Sequence, residues 1–293
     1  MRWLVTGPTG LLGSDLVALL ALRGHPTTAP MRADLDLLDA DAVRAAVAGH
    51  DVVVSCAAWT AVDDAEAHEA EALRVNAEGP RLLARACAAT GARLVQVSTD
   101  YVFAGDASTP YAEDAPVAPR TAYGRTKAAG EQAVREELPD AHLVLRTAWL
   151  YGVHGRSFPR TLAERLRAGQ PVEVVTDQRG QPTWSADLAR VLVDLVEAGA
   201  APGTYHATAA GAATWHDLGR EVARSLGLDP DLVRPTTSAA FPRPAPRPPF
   251  SVLGGDRVAA AGVLPVGDWR ERWRVAAPDV LGVPAQRPSS PSR

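Results

Sequence analysis

The feature that most restricts the fold of this chain is a glycine pattern near its N-terminus. Residues 2–7 have the composition of a short buried strand, and apolar residues follow at helical spacing. Between them, Gly7 permits a tight turn, Gly10 lets a pyrophosphate approach the backbone, and Gly13 lets the helix pack on the strand. A strand, a glycine turn and a helix in this order predict a dinucleotide-binding unit. The open alternative is a plain βα turn without a ligand.

Alternating strand and helix patterns continue from this unit to about residue 150. Buried strand patterns begin at Asp51, Leu94 and His142, with helical patterns between them, whereas the pattern at residues 25–31 is weak. This alternation predicts an α/β fold with a Rossmann-like, doubly wound parallel sheet. We assign residues 1–150 to a dinucleotide-binding Rossmann domain.

The composition shifts after residue 150. We predict a smaller C-terminal α/β domain for the substrate over residues 151–285, and a disordered tail over residues 286–293. In this C-terminal domain, helices are predicted near residues 158–168, 184–198 and 215–226, and strands at residues 172–175 and 203–207.

Charge and composition argue against several function classes. The formal net charge is -4 and the pI is near 6.0, so nothing indicates nucleic-acid binding. No apolar run approaches the ~18 residues of a membrane span, and a core strand that begins at residue 3 leaves no room for a signal peptide. Cys56 and Cys87 fit buried thiols better than a disulfide or a metal site. We therefore expect a cytoplasmic protein without a metal site.

The clearest chemical signal is Tyr123 with Lys127. Residues at i and i+4 share one helix face, so the Lys127 charge is expected to lower the Tyr123 pKa from its usual ~10. Thr99 and Asp100 follow a buried strand, at the sheet edge where ligands bind in open α/β sheets. The group predicts acid/base chemistry on a carbonyl or an alcohol. A chance spacing on a surface helix is the alternative.

Other positions suggest ligand contacts, each with a structural alternative. Asp36 lies near the expected adenosine end of a cofactor, and Arg32 is a candidate for a 2′-phosphate. Trp59 fits either the core or a cofactor wall. Arg243 and Arg247, in a proline-rich segment at residues 241–250, suit a diphosphate or simply solvent.

Motifs along the chain resemble one family, the dTDP-4-dehydrorhamnose reductases, which are extended short-chain dehydrogenase/reductases. The resemblance covers about residues 1–280. It rests on these motifs, in order: Gly7-x-x-Gly10-x-x-Gly13, Ala57-Ala-Trp-Thr-Ala-Val-Asp63, Asn76, Ser98-Thr-Asp-Tyr-Val-Phe103, Tyr123-Gly-x-x-Lys127, Arg146-Thr-Ala-Trp149, Asp177-Gln-x-Gly-x-Pro-Thr183, Gly203-Thr-Tyr-His206 and Arg247-Pro-Pro-x-Ser251.

The resemblance implies reduction of the C4 ketone of a dTDP-4-keto-6-deoxyhexose by NADPH or NADH, for dTDP-L-rhamnose or an antibiotic deoxysugar. The expected partner is this small nucleotide sugar, and the expected state is a monomer or homodimer. The predicted catalytic residues are Thr99, Tyr123 and Lys127. The predicted substrate-binding residues are Thr99, Asp100, Tyr123, Trp149 and Arg247. The predicted cofactor-binding residues are Gly7, Gly10, Leu11, Leu12, Gly13, Asp36, Leu37, Ala57, Ala58, Trp59, Thr60, Asn76, Tyr123 and Lys127.

The chain departs from the family pattern in three places. Leu11 stands where the family often has Gln, Ser55-Cys56 replaces Asn-Ala, and Phe250 stands where Asn or Tyr is frequent. The last difference leaves the sugar specificity open.

Two other functions stay open at this point. One is another nucleotide-sugar enzyme of the superfamily, such as an epimerase; a dehydratase is disfavoured because Tyr101 occupies the place of its glutamate. The other is a non-catalytic regulatory subunit, like that of methionine adenosyltransferase. For Asp100, the alternative role is that of a loop cap.

Overall fold

A six-stranded parallel sheet forms the centre of the computed structural model, which describes residues 1–284. The strands are β1 (Trp3–Thr6), β2 (Thr27–Thr28), β3 (Val52–Ser55), β4 (Arg93–Thr99), β5 (His142–Thr147), β6 (Leu150–Tyr151), β7 (Val172–Val175), β8 (Arg179–Gly180), β9 (Thr183–Trp184), β10 (Gly203–His206), β11 (Ala213–Thr214) and β12 (Val233–Thr236). The strand order of the central sheet is β2-β1-β3-β4-β5-β10, and the remaining strands form two-stranded pairs.

Helices cover both faces of the sheet, which confirms the predicted doubly wound α/β class. Leu16 and Leu20 of α1 pack with α8 on one face, while Val43, Leu83 and Val134 from α2, α5 and α6 pack on the other. The helices are α1 (Leu11–Leu22), α2 (Ala40–Val47), α3 (Val62–Ala65), α4 (Glu69–Leu73), α5 (Gly79–Thr90), α6 (Ala122–Glu137), α7 (Phe158–Arg167), α8 (Ser185–Glu197), α9 (Trp215–Ser225), α10 (Asp256–Ala260) and α11 (Trp269–Leu281).

One strand prediction needs correction, and a second strand is confirmed. The weak pattern at residues 25–31 gives only the two residues of β2, at the sheet edge. The strand predicted at residues 203–207 among the elements after residue 150 is present, and it pairs with β5 at the edge of the central sheet. The four residues of β10 do not encode which strand they pair with, so this position depends on tertiary contacts. The domain boundary at residue 150 stays a prediction, and the tail lies outside the described residues.

The sequence after Asp63 is typical of one long helical region, but in the structure this region is broken into several segments. The chain forms α3, then α4, a π-helical segment (Arg74–Glu78) and α5, whose first turn contains Pro80. The π-helical segment contains Asn76, and π-bulges are frequent at functional sites. Gly130 of α6 lies against it so closely that an added Cβ would overlap the carbonyl oxygen of Asn76.

Two irregular segments lie over the carboxyl end of the sheet. The long loop at residues 104–121 pairs with the proline-rich segment and the residues after it, through Asp106 with Phe250 and Tyr111 with Leu253. The Tyr111 hydroxyl accepts hydrogen bonds from the backbone N–H groups of residues 105–107 at 2.9 to 3.2 Å. Within residues 1–284, no helix has the length and apolar character needed to cross a membrane.

The close approach at Gly130 generates a stability prediction. A Gly130→Ala substitution should lower the free energy of unfolding by about 1 to 3 kcal/mol, because the obstructing atom belongs to the backbone and cannot rotate away. Urea denaturation measures the change. Gly267→Ala is the matched control, since its Cβ would meet only ordinary contact at 3.8 Å from the Arg272 side chain. Equal stability of the two variants would contradict the packing argument.

Candidate active site

The turn between β1 and α1 forms a cradle of backbone atoms. Gly7 has φ +66°, and its carbonyl oxygen accepts a hydrogen bond from the Gly10 N–H at 3.2 Å. An added Cβ on Gly13 would overlap that oxygen, and one on Gly7 would lie 2.8 Å from the Ala57 nitrogen. No side chain caps the α1 N-terminus, and its first turn contains no acidic residue. The turn therefore fits a pyrophosphate held by backbone N–H groups.

The other residues predicted at the cofactor site flank this turn or follow β2. Leu12 is buried in the core and Leu11 is half-buried. Asp36 is exposed and accepts a hydrogen bond from the Leu38 N–H at 2.9 Å, while Leu37 is half-buried. Arg32 is exposed. The structure thus leaves the Asp36 carboxylate at the surface, in a local turn.

Asn76 holds in place the stretch at residues 57–60, the wall that follows β3. Its side-chain oxygen accepts from the Trp59 N–H at 2.8 Å, and its amide donates to the Trp59 carbonyl at 3.1 Å and to Thr126 at 3.0 Å. Trp59 packs in one cluster with Tyr123. The observed bonds of Asn76 therefore join the wall to α6. The exposed Thr60 and the half-buried Ala57 and Ala58 lie on the same stretch.

The start of α6 places Tyr123 beside the end of β4. Thr121 caps the helix by accepting from the Gly124 N–H at 3.0 Å. Gly124 lies against the turn after β4, where an added Cβ would overlap the Tyr101 carbonyl oxygen. Through this contact the Tyr123 hydroxyl comes within hydrogen-bond reach of Thr99. The structure brings together the pair that the sequence placed at two separate elements.

The expected lowering of the Tyr123 pKa is wrong in direction. Burial raises the Tyr123 pKa above its ordinary value; the hydrogen bond with Thr99 opposes that shift, and the Asp100 charge adds to it. Lys127 donates to the Val97 carbonyl oxygen at 2.7 Å. Burial therefore decides the direction of the Tyr123 pKa shift, and Lys127 is not among the groups that lower this pKa.

A buried ion pair lies one helical turn beyond Lys127. Glu131 accepts two hydrogen bonds from Arg146 at 2.8 and 2.7 Å, and a third from Arg135 at 2.6 Å. Burial lowers the Lys127 pKa to about 8, against the charges of Glu131 and Cys56, which raise it. At neutral pH the Lys127 ammonium is therefore mostly charged, inside the protein.

Asp100 lies in the same buried layer. Its Oδ1 accepts from the Thr99 hydroxyl at 2.9 Å, and burial raises its pKa to about 6, although Ser251, Thr99 and backbone N–H groups lower it. The capping role falls to Thr99, whose oxygen accepts from the Tyr101 N–H at 3.2 Å. Asp100 is thus a buried carboxyl whose pKa is raised to about 6.

The cavity next to Tyr101 has a volume of about 620 Å³ and is lined by aromatic and basic side chains. Trp149 adopts φ +47° and stacks on Trp215, which lines the cavity, with ring centroids 3.7 Å apart. Gly180 makes room for this stack, because an added Cβ would overlap the Trp149 indole. The lining includes Tyr101, Phe158, Arg165, Gln178, Trp215, Arg243 and Arg247.

Sequence reasoning missed several members of the site. Glu131 could have been found, because it continues the Tyr123 and Lys127 face at the next i+4 position. Ser251 ended a motif without receiving a role, and Asp63 was predicted to cap the helical region that follows it, whereas the structure pairs it with Arg247. Trp215 had no signal, since its stacking on Trp149 joins residues far apart in the chain.

Comparisons with known proteins agree with this geometry. Residues 1–280 match the family model described as the RmlD substrate binding domain. The chain is 56% identical to "Probable dTDP-4,6-dihydroxy-2-methyloxan-3-one 4-ketoreductase" of Streptomyces antibioticus, covering 96% of both chains. It is 54% identical to a dTDP-4-dehydrorhamnose reductase of Streptomyces griseus, covering 96% of this chain and 94% of that protein. A Bacillus anthracis dTDP-4-dehydrorhamnose reductase crystallised with NADP superposes with TM-score 0.90 at 32% identity, covering 94% and 98%.

The raised Asp100 pKa predicts a pH effect on stability. The folded pKa of about 6 exceeds the ordinary 3.8, so the folded state binds more protons between these values and loses stability as pH rises through them. The loss amounts to roughly 2 to 3 kcal/mol. Asp100→Asn should lack this pH-dependent loss. In urea denaturation, the free energy of unfolding of the variant, relative to that of the wild type, should therefore rise from pH 4 to pH 7. A constant difference across that range would contradict the assignment.

Proposed function

Because this chain belongs to the RmlD substrate-binding domain family, we propose that it reduces the C4 ketone of a dTDP-4-keto-6-deoxyhexose with NADPH or NADH. The observation that carries the proposal is the meeting of Thr99 and Tyr123 at the carboxyl end of β4, with Lys127 one helical turn away. Tyr101, whose ring contacts Tyr123, lines a cavity with aromatic and basic walls, and the glycine turn follows β1 of the same parallel sheet.

The residues present fit a dinucleotide. Gly7, Gly10 and Gly13 leave the α1 N-terminus free of side chains for the pyrophosphate, and Trp59 forms a wall next to Tyr123. When bound, the reduced nicotinamide supplies a hydride for the ketone carbon. Lys127 has N–H donors beyond the one used on Val97, so it would be suited to hydrogen-bond a ribose hydroxyl of a bound cofactor.

Tyr123 supplies the proton that the ketone oxygen needs. Burial keeps this phenol protonated at neutral pH, so it is a donor before the reaction begins. Thr99 uses its single hydroxyl proton on Asp100 in this structure and must rotate to donate to the same oxygen. Two donors aimed at one oxygen would stabilise the charge that develops there.

The walls of the cavity suit the remaining parts of a nucleotide sugar. Flat aromatic side chains such as Trp215 and Phe158 suit a base or a sugar face, and Trp149 is the candidate wall for the hexose. Arg165, Arg243 and Arg247 supply positive charge for a diphosphate. Asp100, ionised above its pKa of about 6, can accept hydrogen bonds from sugar hydroxyls.

The direct test follows oxidation of NADPH, and separately of NADH, after addition of dTDP-4-keto-6-deoxy-L-hexose. Absorbance of the reduced nicotinamide gives the rate, and NMR of the product gives the C4 configuration. Oxidation matched by a dTDP-6-deoxyhexose supports the proposal. An epimerised sugar with a retained, tightly bound cofactor would support the epimerase instead.

Replacement of the proton donor separates an enzyme from a non-catalytic nucleotide-binding subunit. Tyr123→Phe should lower kcat by about 10²-fold or more, because the phenol supplies general acid catalysis, while cofactor affinity changes little. Stopped-flow turnover and calorimetric binding measure the two quantities.

Tyr151→Phe is the matched control for this substitution. The Tyr151 hydroxyl is buried against Trp273 and has no hydrogen-bond partner among residues 1–284, so its loss should leave kcat unchanged. Turnover by Tyr123→Phe at the wild-type rate would remove the catalytic assignment.

A further inference from the structure

Two motif ends that received no common role meet in the folded chain. Asp63 ends the motif that follows β3, and Arg247 begins the motif at the end of the proline-rich segment, 184 residues later. The Arg247 guanidinium donates to Oδ2 of Asp63 at 2.8 Å, and the Ala245 N–H donates to Oδ1 at 3.3 Å. Arg243 lies 3.9 Å from Oδ2. Both oxygens of one carboxylate therefore contact the same short segment.

The proline-rich segment has few ways to hold its own shape. Five of its ten residues are proline, which has no backbone N–H, so regular backbone pairing is impossible through most of it. Ser238 before the segment is bound by Asp177 at 2.8 to 3.0 Å, and the Phe250 N–H at its end donates to the Gly105 carbonyl at 3.0 Å. Between these anchors, the buried Ala245 is bound by Asp63.

The contact lies at the cavity wall. Tyr101, Ala245 and Arg247 all line the cavity, and the Tyr101 ring meets Tyr123 edge-on at 5.7 Å between centroids. Burial alone would raise the Asp63 pKa, but the bonds and charges of the segment outweigh it and lower that pKa. The carboxylate is therefore charged whenever the enzyme works near neutral pH.

The pair also leaves Arg247 with capacity to bind. A guanidinium carries five N–H donors. Arg247 donates to Asp63 and, at 3.0 Å, to the Ala245 carbonyl oxygen, which leaves further N–H donors for a ligand. Asp63 carries one negative charge against the positive charges of Arg243 and Arg247. The local excess of positive charge complements an anion such as a diphosphate.

We propose that Asp63 is a positioning residue, which holds the proline-rich segment over the cavity and aims Arg247 at the diphosphate of the substrate. The proposal rests on the proposed function for the identity of that ligand. Ion pairs of this exposure contribute little to stability, so the consequence belongs to ligand binding. Asp63 itself does not touch the reacting atoms.

The first test needs no ligand. In Asp63→Asn, hydrogen–deuterium exchange of the peptide that contains residues 241–250 should become faster, since the carboxylate no longer orders the Ala245 N–H. Asp231→Asn is the matched control, because Asp231 pairs with Arg220 at 2.8 Å on the exposed surface. Unchanged exchange in Asp63→Asn would overturn the inference.

The second test measures ligand binding without turnover. Calorimetry with dTDP should give a Kd about tenfold higher for Asp63→Asn, and with a working substrate KM should rise while kcat stays within about twofold. If the role of Asp63 were purely structural, Asp63→Asn would lower stability or kcat instead of raising KM at a nearly constant kcat. Faster exchange with unchanged dTDP affinity would overturn the link between the segment and the ligand.

A double-mutant cycle tests whether the two residues act as one unit. Arg247→Gln and the double variant Asp63→Asn with Arg247→Gln should bind dTDP equally weakly, because Asp63 acts through Arg247. Additive losses would overturn that mechanism. If the wild type binds dTDP but does not reduce the keto sugar, the proposed reaction fails while the role of Asp63 is still decided by these measurements.

Discussion

The buried ion pair between Glu131 and Arg146 is the interaction on which the site most depends. Glu131 belongs to the same helix as Tyr123 and Lys127, whereas Arg146 belongs to the neighbouring strand β5. Removing one partner of such a pair typically costs about 3 to 5 kcal/mol, since the other charge is left buried. Arg146 also contacts the Glu113 carbonyl oxygen at 3.3 Å and lies 4.9 Å from the Phe103 ring centroid. One cation therefore joins α6, the sheet and the long loop.

Parallel pairing imposes the second constraint. All the strands of the central sheet end at one edge, so the glycine turn, the wall at Trp59, and Thr99 are brought together although they lie far apart in the chain. Close backbone approaches complete the arrangement: Gly124 lies against the turn after β4, and Gly130 lies against the π-helical segment. A side chain at either position would push the helix, and the phenol it carries, away from Thr99.

Much of the fold was predictable from the sequence. The glycine spacing and the apolar runs predicted the parallel sheet, and Cys87 is buried as expected, whereas Cys56 is half-buried. The direction of the Tyr123 pKa shift was not predictable, because helical spacing reveals the neighbouring charge but not the depth of burial. The pairing of β10 with β5 in the central sheet was not predictable, since its four residues do not state which strand they pair with. For Arg247, the segment's composition indicated exposure to solvent or a diphosphate, and its pairing with Asp63 was invisible.

Local sequence determined the elements, the family, and which residue types carry the chemistry, because periodicity, glycine turns and motif spacing depend on neighbours along the chain. Tertiary structure alone decided how those groups meet: the reach of Tyr123 to Thr99, the protonation of Asp100 and Lys127, the stack of Trp149 on Trp215, and the contact of Asp63 with Arg247. Each of these depends on burial or on distances between segments separated by tens of residues or more. Such quantities are set by packing, which no short stretch of sequence encodes.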